Sequence, residues 1–333
     1  MKILVATGIY PPDVGGPSYY AKELVEAFNA LGHQAKPVTY GALMRFPTGV
    51  RHVLFFLRLL PKMLWAEKII VLDTFSVALP VAVASSIFRV PFVVRTGGDF
   101  VWEQYLERTG DLVPLKDFYT TNRVFTTKEK IILSTTRVVL RRASLVIFST
   151  QMQKDIWSAA YAIDQTKTRI VENAIDAPLP SVAPTQKNFL WYVRPTAFKN
   201  SKRLHTAFLK AKETYPEIVL EEGQVPKKEL LERMKSCYAV VLPSITEISP
   251  NYILDALRFK KPFIMDMYSG LAHKLGSYGM LVDPLSEEDI ACAIEELASS
   301  EGYVRAQEKV RMFSEVRTYK DIAKEFLTLL QIV

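Results

Sequence analysis

The sequence contains few of the residues that bind metals or form disulfides. Among 333 residues there are two cysteines and four histidines. Cys237 and Cys292 lie in apolar segments, and the histidines form no H-x-x-x-H or H-x-E pattern. We therefore expect neither a disulfide framework nor a metal site, and the chain is predicted to be cytoplasmic.

Signals for secretion or membrane insertion are also missing. The apolar run of the first segment, "MKILVATGIYPPD", is too short for a signal peptide. The longest apolar stretch, residues 69–88, is interrupted by Asp73 and Pro80. It is typical of a strand, a loop and a buried helix, so no membrane crossing is expected.

The charge of the chain favours acidic partners but not nucleic acid. The formal net charge is +7, the pI is about 9.1, and 49% of the residues are hydrophobic. A globular, basic chain of this length predicts two domains and partners such as phosphates, nucleotides or anionic lipid. The basic residues are scattered, and neither a nucleic-acid-binding signature nor the dinucleotide fingerprint G-x-G-x-x-G is present.

Short β-rich runs alternate with helical patterns along the chain. This rhythm predicts parallel sheets covered by helices on both faces, with ligands at the carboxyl ends of the strands. It is broken once, by the proline-rich stretch 176–188, which we interpret as a linker. The predicted domains are 1–182 and 183–315, and 316–333 is predicted to be a helix that packs back on the first domain.

Two loops have a composition suited to phosphate. Gly15 and Gly16 stand between the first strand and the first helix, where glycine lets the backbone approach a ligand and free amides attract anions. Arg194 and Lys199 follow the first strand of the second domain, and two cations there suit a diphosphate. An ordinary turn and ordinary solvated charges are the alternatives.

The stretch "SITEISPNYILD" carries two acids, Glu247 and Asp255, on a loop that enters a helix. Ser249, Pro250 and Asn251 are predicted to start this helix and to leave free amides for an anion. The carboxylates could accept hydrogen bonds from sugar or ribose hydroxyls. The alternative is a helix whose acidic start complements its dipole.

Taken together, these segments resemble family 4 of the glycosyltransferases over nearly the whole chain. "GIYPPDVGGPSYYAKELVEAFNALGHQ" is similar to the family's glycine-loop opening, and "VENAID" to its turn at the end of the first domain. "RPTAFKN" fits the family's Arg-x4-Lys, and "EISPNYILD" stands where the family has Glu-x7-Glu. The resemblance implies an α/β protein of the GT-B fold, with two Rossmann-like domains facing each other across a cleft.

The resemblance also implies roles for individual residues. Arg194 and Lys199 would hold the donor diphosphate, Glu247 the donor sugar and Asp255 the ribose. Many relatives carry a histidine after the fourth strand, where this chain has Gly97, and Asp99 is the nearest polar candidate. Further donor-binding positions would be Gly15, Gly16, Gly223, Gln224, Val225, Ser249, Pro250 and Asn251.

The implied function is that of a retaining, metal-independent hexosyltransferase without a cofactor. It would move a sugar from a UDP-, GDP- or ADP-sugar to a glycan or lipid-linked acceptor, for example in cell-envelope polysaccharide synthesis. Two alternatives stay open. One is a degenerate GT-B protein that binds a sugar nucleotide or a partner without turnover, and the other is a GT-B sugar-nucleotide epimerase.

The segment "RHVLFFLRLLPKMLW" suggests a contact with the inner face of the membrane. Arg51, Arg58 and Lys62 share a narrow stripe of one helical face, and apolar residues fill the other faces. One interpretation is peripheral docking on anionic lipid, with Phe55, Phe56 or Trp65 below the phosphates. The other is a mostly buried helix with one solvated stripe.

Overall fold

The protein folds as two compact units, each assembled from separate stretches of the chain. The computed structural model describes residues 1–13 and 15–333, apart from the side chain of Thr48. Unit 1 consists of Met1–Val101, Arg123–Ala174 and Thr318–Val333, and unit 2 of Trp102–Asn122 and Ile175–Arg317.

Unit 1 is built on a parallel sheet of six strands in the order β2-β1-β3-β4-β5-β6. Strands β3, β4 and β5 are short and apolar, as expected for strands covered on both faces. The strands are β1 Lys2–Ala6, β2 Gln34–Val38, β3 Lys68–Val71, β4 Phe92–Arg95, β5 Leu145–Phe148 and β6 Thr168–Ile170.

Helices connect these strands and cover the sheet of unit 1. Several begin at side-chain caps: Thr126 and Glu129 form a capping box, Thr150 caps the next helix, and Thr318 and Asp321 form a second box. The helices are α1 Gly16–Ala30, α2 Thr48–Met63, α3 Ala78–Phe88, α6 Thr127–Arg142, α7 Gln151–Tyr161 and α14 Tyr319–Gln331.

The last helix completes the core of unit 1. Ile322, Ala323, Phe326 and Leu330 of α14 are buried in one cluster with residues of α1 and of the sheet. The rings of Phe28 and Phe326 meet edge to face at 6.4 Å. The helix predicted at the end of the sequence therefore supplies one side of the first unit's hydrophobic core.

Unit 2 contains a second parallel sheet, with five strands in the order β11-β10-β9-β7-β8. The strands are β7 Asn188–Tyr192, β8 Val219–Gly223, β9 Ala239–Leu242, β10 Phe263–Asp266 and β11 Met280–Val282. The helices between and after them are α8 Ser201–Thr214, α9 Lys227–Ser236, α10 Asn251–Arg258, α11 Ala272–Leu275, α12 Glu287–Ala298 and α13 Ser300–Met312. Because β7, β9 and β10 are neighbours, the loops that follow them lie at one edge of the sheet.

Unit 2 also contains a segment from the first half of the chain, Trp102–Asn122, which we call the inserted segment. It holds most of helix α4 (Phe100–Thr109) and helix α5 (Leu115–Phe118). The ring of Trp102 packs on Phe198 at 5.4 Å, and its indole N–H donates to the carbonyl of Val113 at 2.8 Å. The domain limits 1–182 and 183–315, drawn from the linker, took no account of such a segment.

None of the helices formed by residues 1–13 and 15–333 is long and apolar enough to cross a membrane. The apolar stretch 69–88 forms β3, a turn around Asp73 and α3. Asp73 accepts the amides of Phe75, Val77 and Ala78, so this acid caps the start of α3.

Candidate functional site

The predicted site residues fall in both units. Gly15, Gly16 and Asp99 belong to unit 1, and the remaining predicted residues belong to unit 2. In unit 2 they lie after β7, β8 and β9, at the carboxyl ends of the strands. This is where open parallel sheets bind their ligands.

The turn after β7 is fixed by Asn200. This residue is buried with φ 63°, a left-handed conformation that asparagine tolerates better than most residues. Its side-chain amide donates to the carbonyls of Pro243, at 2.9 Å, and Pro284, at 2.7 Å. Asn200 thereby ties the turn that carries Lys199 to the loops after β9 and β11, a role that the sequence analysis did not assign.

Lys199 and Glu247 form an ion pair at this edge of unit 2. The ammonium lies 2.5 Å from Oε1 of Glu247, and the two side chains are 14% and 13% exposed. The hydroxyl of Ser244 donates to the same oxygen at 2.6 Å. In the described part of the chain Oε2 of Glu247 accepts no hydrogen bond, so this oxygen can still receive a ligand hydroxyl.

Arg194 stands in the same turn as Lys199 but is exposed. Its guanidinium has no hydrogen-bond or ion-pair partner among the described residues, whereas its carbonyl accepts the amide of Thr196 at 2.8 Å. A solvated guanidinium and a half-buried ammonium in one turn can both reach an anion that approaches the edge of the sheet.

Three side chains around this turn have buried polar atoms that lack hydrogen-bond partners in the structure as described. They are the hydroxyl of Thr196, the hydroxyl of Ser249 and both oxygens of Asp266. They come from the ends of β7, β9 and β10, which are adjacent in the sheet. Since buried polar groups are normally bonded, such a concentration at a ligand-binding edge indicates groups that a ligand or its waters complete.

Asp266 is a residue that the sequence analysis missed. It closes β10 with no exposed surface. Burial, and then the charge of Glu247, raise the pKa of its carboxyl well above the usual range, while the backbone amide of Glu247, the charge of Lys199 and the amide of Asp266 itself act in the opposite direction. The sequence shows only that an acid directly follows the apolar run "PFIM", and an acid at that place indicates no more than the polar end of a strand.

Asp255 is engaged within unit 2. It forms an ion pair with Lys227 of α9, and its Oδ1 lies 3.4 Å from a guanidinium nitrogen of Arg258. The same nitrogen of Arg258 lies 3.6 Å from Asp176. The two predicted acids of this stretch thus differ: Glu247 keeps an oxygen without a bond, whereas both oxygens of Asp255 are paired.

The segment predicted to lie near the base follows β8. Gly223 ends this strand with φ 148°, and a Cβ there would lie 3.3 Å from the ring of Tyr192. Gln224 is exposed and Val225 half-buried. Pro250 directly precedes α10, and no side chain caps that helix start.

The inserted segment contacts three loops of this edge. The carboxylate of Glu107 accepts the amide of Ala197 at 2.8 Å, in the turn that carries Lys199. The amide of Leu115 donates to the hydroxyl of Thr246, next to Glu247, at 3.1 Å. The ammonium of Lys116 lies 4.2 Å from the ring centroid of Tyr268, in the loop after Asp266. The inserted segment therefore helps to hold the loops of the candidate site.

In unit 1 the glycine loop leads directly into α1. Gly15 has φ 155°, and a Cβ there would lie 3.1 Å from Cδ1 of Ile9, while a Cβ at Gly16 would meet nothing within 4 Å. No acidic residue occupies the first turn of α1. This helix start therefore keeps its electrostatic preference for an anion.

Asp99 lies in the loop after β4 and is buried. The carbonyl of Gly97, two residues earlier, accepts the side-chain amide of Gln153 at 2.6 Å. Gln153 is fully buried and also bonds the hydroxyl of Thr96 at 2.8 Å. The backbone at Gly97 is thus anchored to α7.

Arg95 is a second residue that the sequence analysis missed. This buried side chain ends β4 and donates to the carbonyl of Thr96 and to Oδ1 of Asn173. Its guanidinium carbon lies 4.6 Å from the ring centroid of Tyr20. The described residues give it no carboxylate partner, so unit 1 holds a buried positive charge without a counter-ion.

Helix α2 corrects one detail of the membrane interpretation. Phe55 is fully buried in unit 1, so it cannot dip into lipid. The guanidinium of Arg58 donates to the carbonyls of Thr39 and Tyr40, at 2.9 and 2.8 Å, and that of Arg51 stacks 5.5 Å from the ring of Tyr40. The exposed stripe of α2 is apolar rather than basic: it consists of Val50, Val53, Leu57 and Pro61, and Leu64 continues it beyond the helix end.

Comparison with known proteins identifies the fold. The sequence matches no protein-family profile and no curated protein. The structure is similar to HepE from Anabaena, solved with UDP and glucose, at a TM-score of 0.72 with 15% identity over 100% of both chains. It is also similar to sucrose-phosphate synthase from Thermosynechococcus elongatus, at a TM-score of 0.71 with 15% identity over 100% of this chain and 99% of that one.

A third similar structure is the lipopolysaccharide outer core galactosyltransferase WaaB without ligand. Its TM-score is 0.62, with 14% identity over 100% of both chains. The fold is GT-B. The two parallel sheets with their interleaved helices are the two Rossmann-like domains of that architecture, so the predicted fold class is confirmed. At such low identities the likeness extends to the fold alone.

Proposed function

We propose that this protein is a glycosyltransferase that transfers a hexose from a nucleotide sugar, with retention of configuration. The observation that carries the proposal is the edge of unit 2, where the Lys199–Glu247 pair stands among unpartnered Thr196, Ser249 and Asp266. Cations for a diphosphate and open acceptors for hydroxyls thus occur at the carboxyl ends of neighbouring strands. Among the proteins of this fold, HepE was solved with UDP and glucose.

In this proposal Arg194 and Lys199 hold the donor diphosphate. Arg194 has no competing partner in the described chain, and Lys199 uses one of its three ammonium hydrogens for Glu247. Their positive charge stabilises the negative charge that grows on the leaving phosphate as the glycosidic bond breaks. The proposed reaction therefore needs no metal ion and no cofactor.

Glu247 is proposed to bind the donor sugar through Oε2, since Oε1 already accepts from Lys199 and Ser244. The bond between the anomeric carbon and the phosphate oxygen breaks, and the acceptor hydroxyl attacks the same face. Its proton passes to the released phosphate oxygen, so that the products are the glycoside and the nucleoside diphosphate. Catalysis then consists of positioning the reactants and stabilising the leaving group.

The other predicted residues are assigned by their places in the two units. Gly223, Gln224 and Val225 are proposed to lie against the base, and the amides at Ser249, Pro250 and Asn251 against the phosphates or sugar. Asp255 is proposed to contact the ribose while it stays paired with Arg258. Gly15 and Gly16 of unit 1 are proposed to approach the donor, and Asp99 to act near the reacting carbon.

The decisive experiment is a binding screen followed by a turnover assay. Calorimetric titration with UDP, GDP, ADP and their sugars identifies the donor, and release of the nucleoside diphosphate measures turnover. Arg194→Ala should weaken binding by at least tenfold, because a charge-assisted hydrogen bond contributes about 1.5–3 kcal/mol. Lys212→Ala, an exposed lysine at the far end of α8, is the matched control. Equal losses in both variants, or no binding of any nucleotide, would refute the proposal.

The same assay separates the two alternatives. A degenerate GT-B protein would bind the sugar nucleotide, with Arg194 contributing, but would release no nucleoside diphosphate in the presence of any acceptor. An epimerase would change the configuration of the sugar without consuming an acceptor. Analysis of the sugar products by NMR also reports retention or inversion at the anomeric carbon.

The acceptor is proposed to be a glycan or a lipid-linked glycan at the inner face of the membrane. WaaB is named for the lipopolysaccharide outer core, which gives a precedent on this fold. In this chain Val53, Leu57 and Leu64 are each more than half exposed, with Lys62 beside them. An exposed apolar stripe with a basic side chain beside it suits the interface of an anionic bilayer.

A further inference from the structure

Asp266 is completely buried, and no side chain of the described residues donates a hydrogen bond to it. Its side chain has no exposed surface, and among the described residues only backbone amides, those of Glu247 and of Asp266 itself, act as donors toward its carboxyl. An ionised carboxylate in such a place would lose its hydration with little compensation. Its neighbours therefore decide which protonation state the folded protein prefers.

The charged groups that act on Asp266 come from two loops of the same edge. Glu247, after β9, disfavours a second negative charge, and Lys199, after β7, favours it. These two are already paired at 2.5 Å, so their charges largely offset each other at Asp266. Asp255 and Arg258 of α10 are paired with each other and do not contribute. Burial is then the largest influence, and it raises the pKa of Asp266.

We propose that Asp266 is kept as a neutral carboxylic acid and that its proton sets the net charge that this edge offers to a diphosphate. With the proton in place, Asp266, Glu247 and Lys199 together carry no net charge. Without it they carry one negative charge beside the proposed phosphate position. Asp266 is thus a positioning residue that acts through Lys199, since an ionised Asp266 would compete with the ligand for the ammonium.

The inference rests on the proposed diphosphate site, but the protonation state itself can be measured without any ligand. Because the folded state holds the proton more tightly than the unfolded state, the contribution of Asp266 to stability is complete at low pH. This contribution falls as the pH rises above about 4, the pKa of an aspartate in the unfolded chain, and it levels off above the pKa of Asp266 in the folded protein.

The first experiment compares the stability of the wild type with that of Asp266→Asn from pH 5 to pH 9. Asn is isosteric with the neutral acid and cannot ionise. The Tm of the variant should rise relative to that of the wild type by an amount that grows with pH. Glu232→Gln, an exposed acid of α9, should show no such trend. A constant difference between the wild type and Asp266→Asn over this range would overturn the proposal.

The second experiment measures the dissociation constant of the nucleoside diphosphate that binds best, from pH 7 to pH 9.5. Wild-type affinity should fall at least tenfold more than that of Asp266→Asn, because the negative charge that the wild type gains opposes the diphosphate and competes with it for Lys199. Parallel profiles for the two proteins would overturn the proposal while leaving the proposed function intact. If Asp266→Asn does not fold, Asp266→Ala serves in both experiments.

Discussion

Lys227 and Asp255 form an ion pair that joins α9 to α10, and Arg258 binds the same carboxylate from one turn further along α10. The side chains of Asp255 and Arg258 are only 9% and 14% exposed. An acid that was predicted to meet ribose is therefore also part of the packing between two helices. The two roles predict different responses to substitution.

Asp255→Asn should destabilise unit 2. It leaves Arg258 with Asp176, at 3.6 Å, as its one carboxylate partner among the described residues, and breaking a largely buried pair costs about 3 kcal/mol or more. We expect the Tm to fall by several degrees in thermal unfolding followed by circular dichroism. Lys227→Met, which removes the more exposed partner, should cost less.

If Asp255 also contacts ribose, Asp255→Asn should weaken the binding of a nucleoside diphosphate more than the binding of inorganic pyrophosphate. Titrating both ligands at a temperature well below the lowered Tm separates recognition from stability. Equal losses for the two ligands would contradict the ribose contact and leave Asp255 as a structural residue.

Glu247→Gln should abolish transfer and yet tighten binding of the free nucleoside diphosphate by several-fold. The substitution removes a negative charge from the proposed phosphate position and releases Lys199 from a 2.5 Å ion pair. Lys199→Met should instead weaken the binding of the nucleoside diphosphate at least tenfold, as expected for the loss of a charge-assisted hydrogen bond of about 1.5–3 kcal/mol. Calorimetry measures the affinity, and release of the nucleoside diphosphate measures the turnover. The diagnostic result is that Glu247→Gln raises the affinity whereas Lys199→Met lowers it.

Thr246→Val should reduce affinity for the nucleotide several-fold and lower the Tm. It removes the acceptor of the buried Leu115 amide, which costs about 1–3 kcal/mol, and so loosens the inserted segment from the loop that carries Glu247. Thr109→Val is a suitable control, because that hydroxyl bonds within the inserted segment, to the carbonyl of Tyr105 and the amide of Asp111. Unchanged affinity for Thr246→Val would show that the inserted segment is not needed to place this loop.

The two cysteines should differ sharply in reactivity. Cys237 is buried, and burial raises the pKa of its thiol to about 12, whereas Cys292 is exposed. Since the thiolate is the reactive form, a thiol reagent at pH 8 should label one cysteine in the folded protein and both after denaturation. Cys292→Ser should abolish the fast labelling, and fast labelling of that variant would contradict the burial of Cys237.

Membrane docking by α2 should depend on its apolar stripe more than on its basic residues. We expect Val53→Asp and Leu57→Asp to abolish co-sedimentation with anionic liposomes at low salt, and Lys62→Glu to weaken it. Val138→Asp, at an exposed apolar position of α6, is the control. Equal pelleting with neutral and anionic liposomes, or no effect of the α2 variants, would refute the docking.

The fold could be predicted from the sequence because its signals are local. Runs such as "KIIV", "FVVR" and "AVVL" are strands in the structure, and the helical spacing from Tyr19 to Leu31 corresponds to α1. Parallel strands covered on both faces appear in a sequence as short apolar runs, and the helices between them appear as apolar residues spaced three or four positions apart. The α/β class follows from the alternation of these two patterns.

The details of the site could not be predicted in the same way, because they depend on contacts between distant residues. Glu107 and Ala197 are ninety positions apart, and nothing near Glu107 shows that the inserted segment leaves the first unit. The period of α2 shows which residues share a face, but not which face is covered, so Phe55 was placed wrongly. Asp266 gave no sign of its burial, because the neighbours that create it come from other loops.

The division of the chain between the units has a consequence for its synthesis. Unit 2 draws on Trp102–Asn122, which leave the ribosome before the last two strands of the first sheet, and unit 1 draws on Thr318–Val333, which leave after all of unit 2. The N-terminal unit therefore cannot bury Phe28 against Phe326 until the other unit has been translated. Until then α1 and the first sheet expose an apolar face, and the nascent chain has its greatest need of chaperones during that interval.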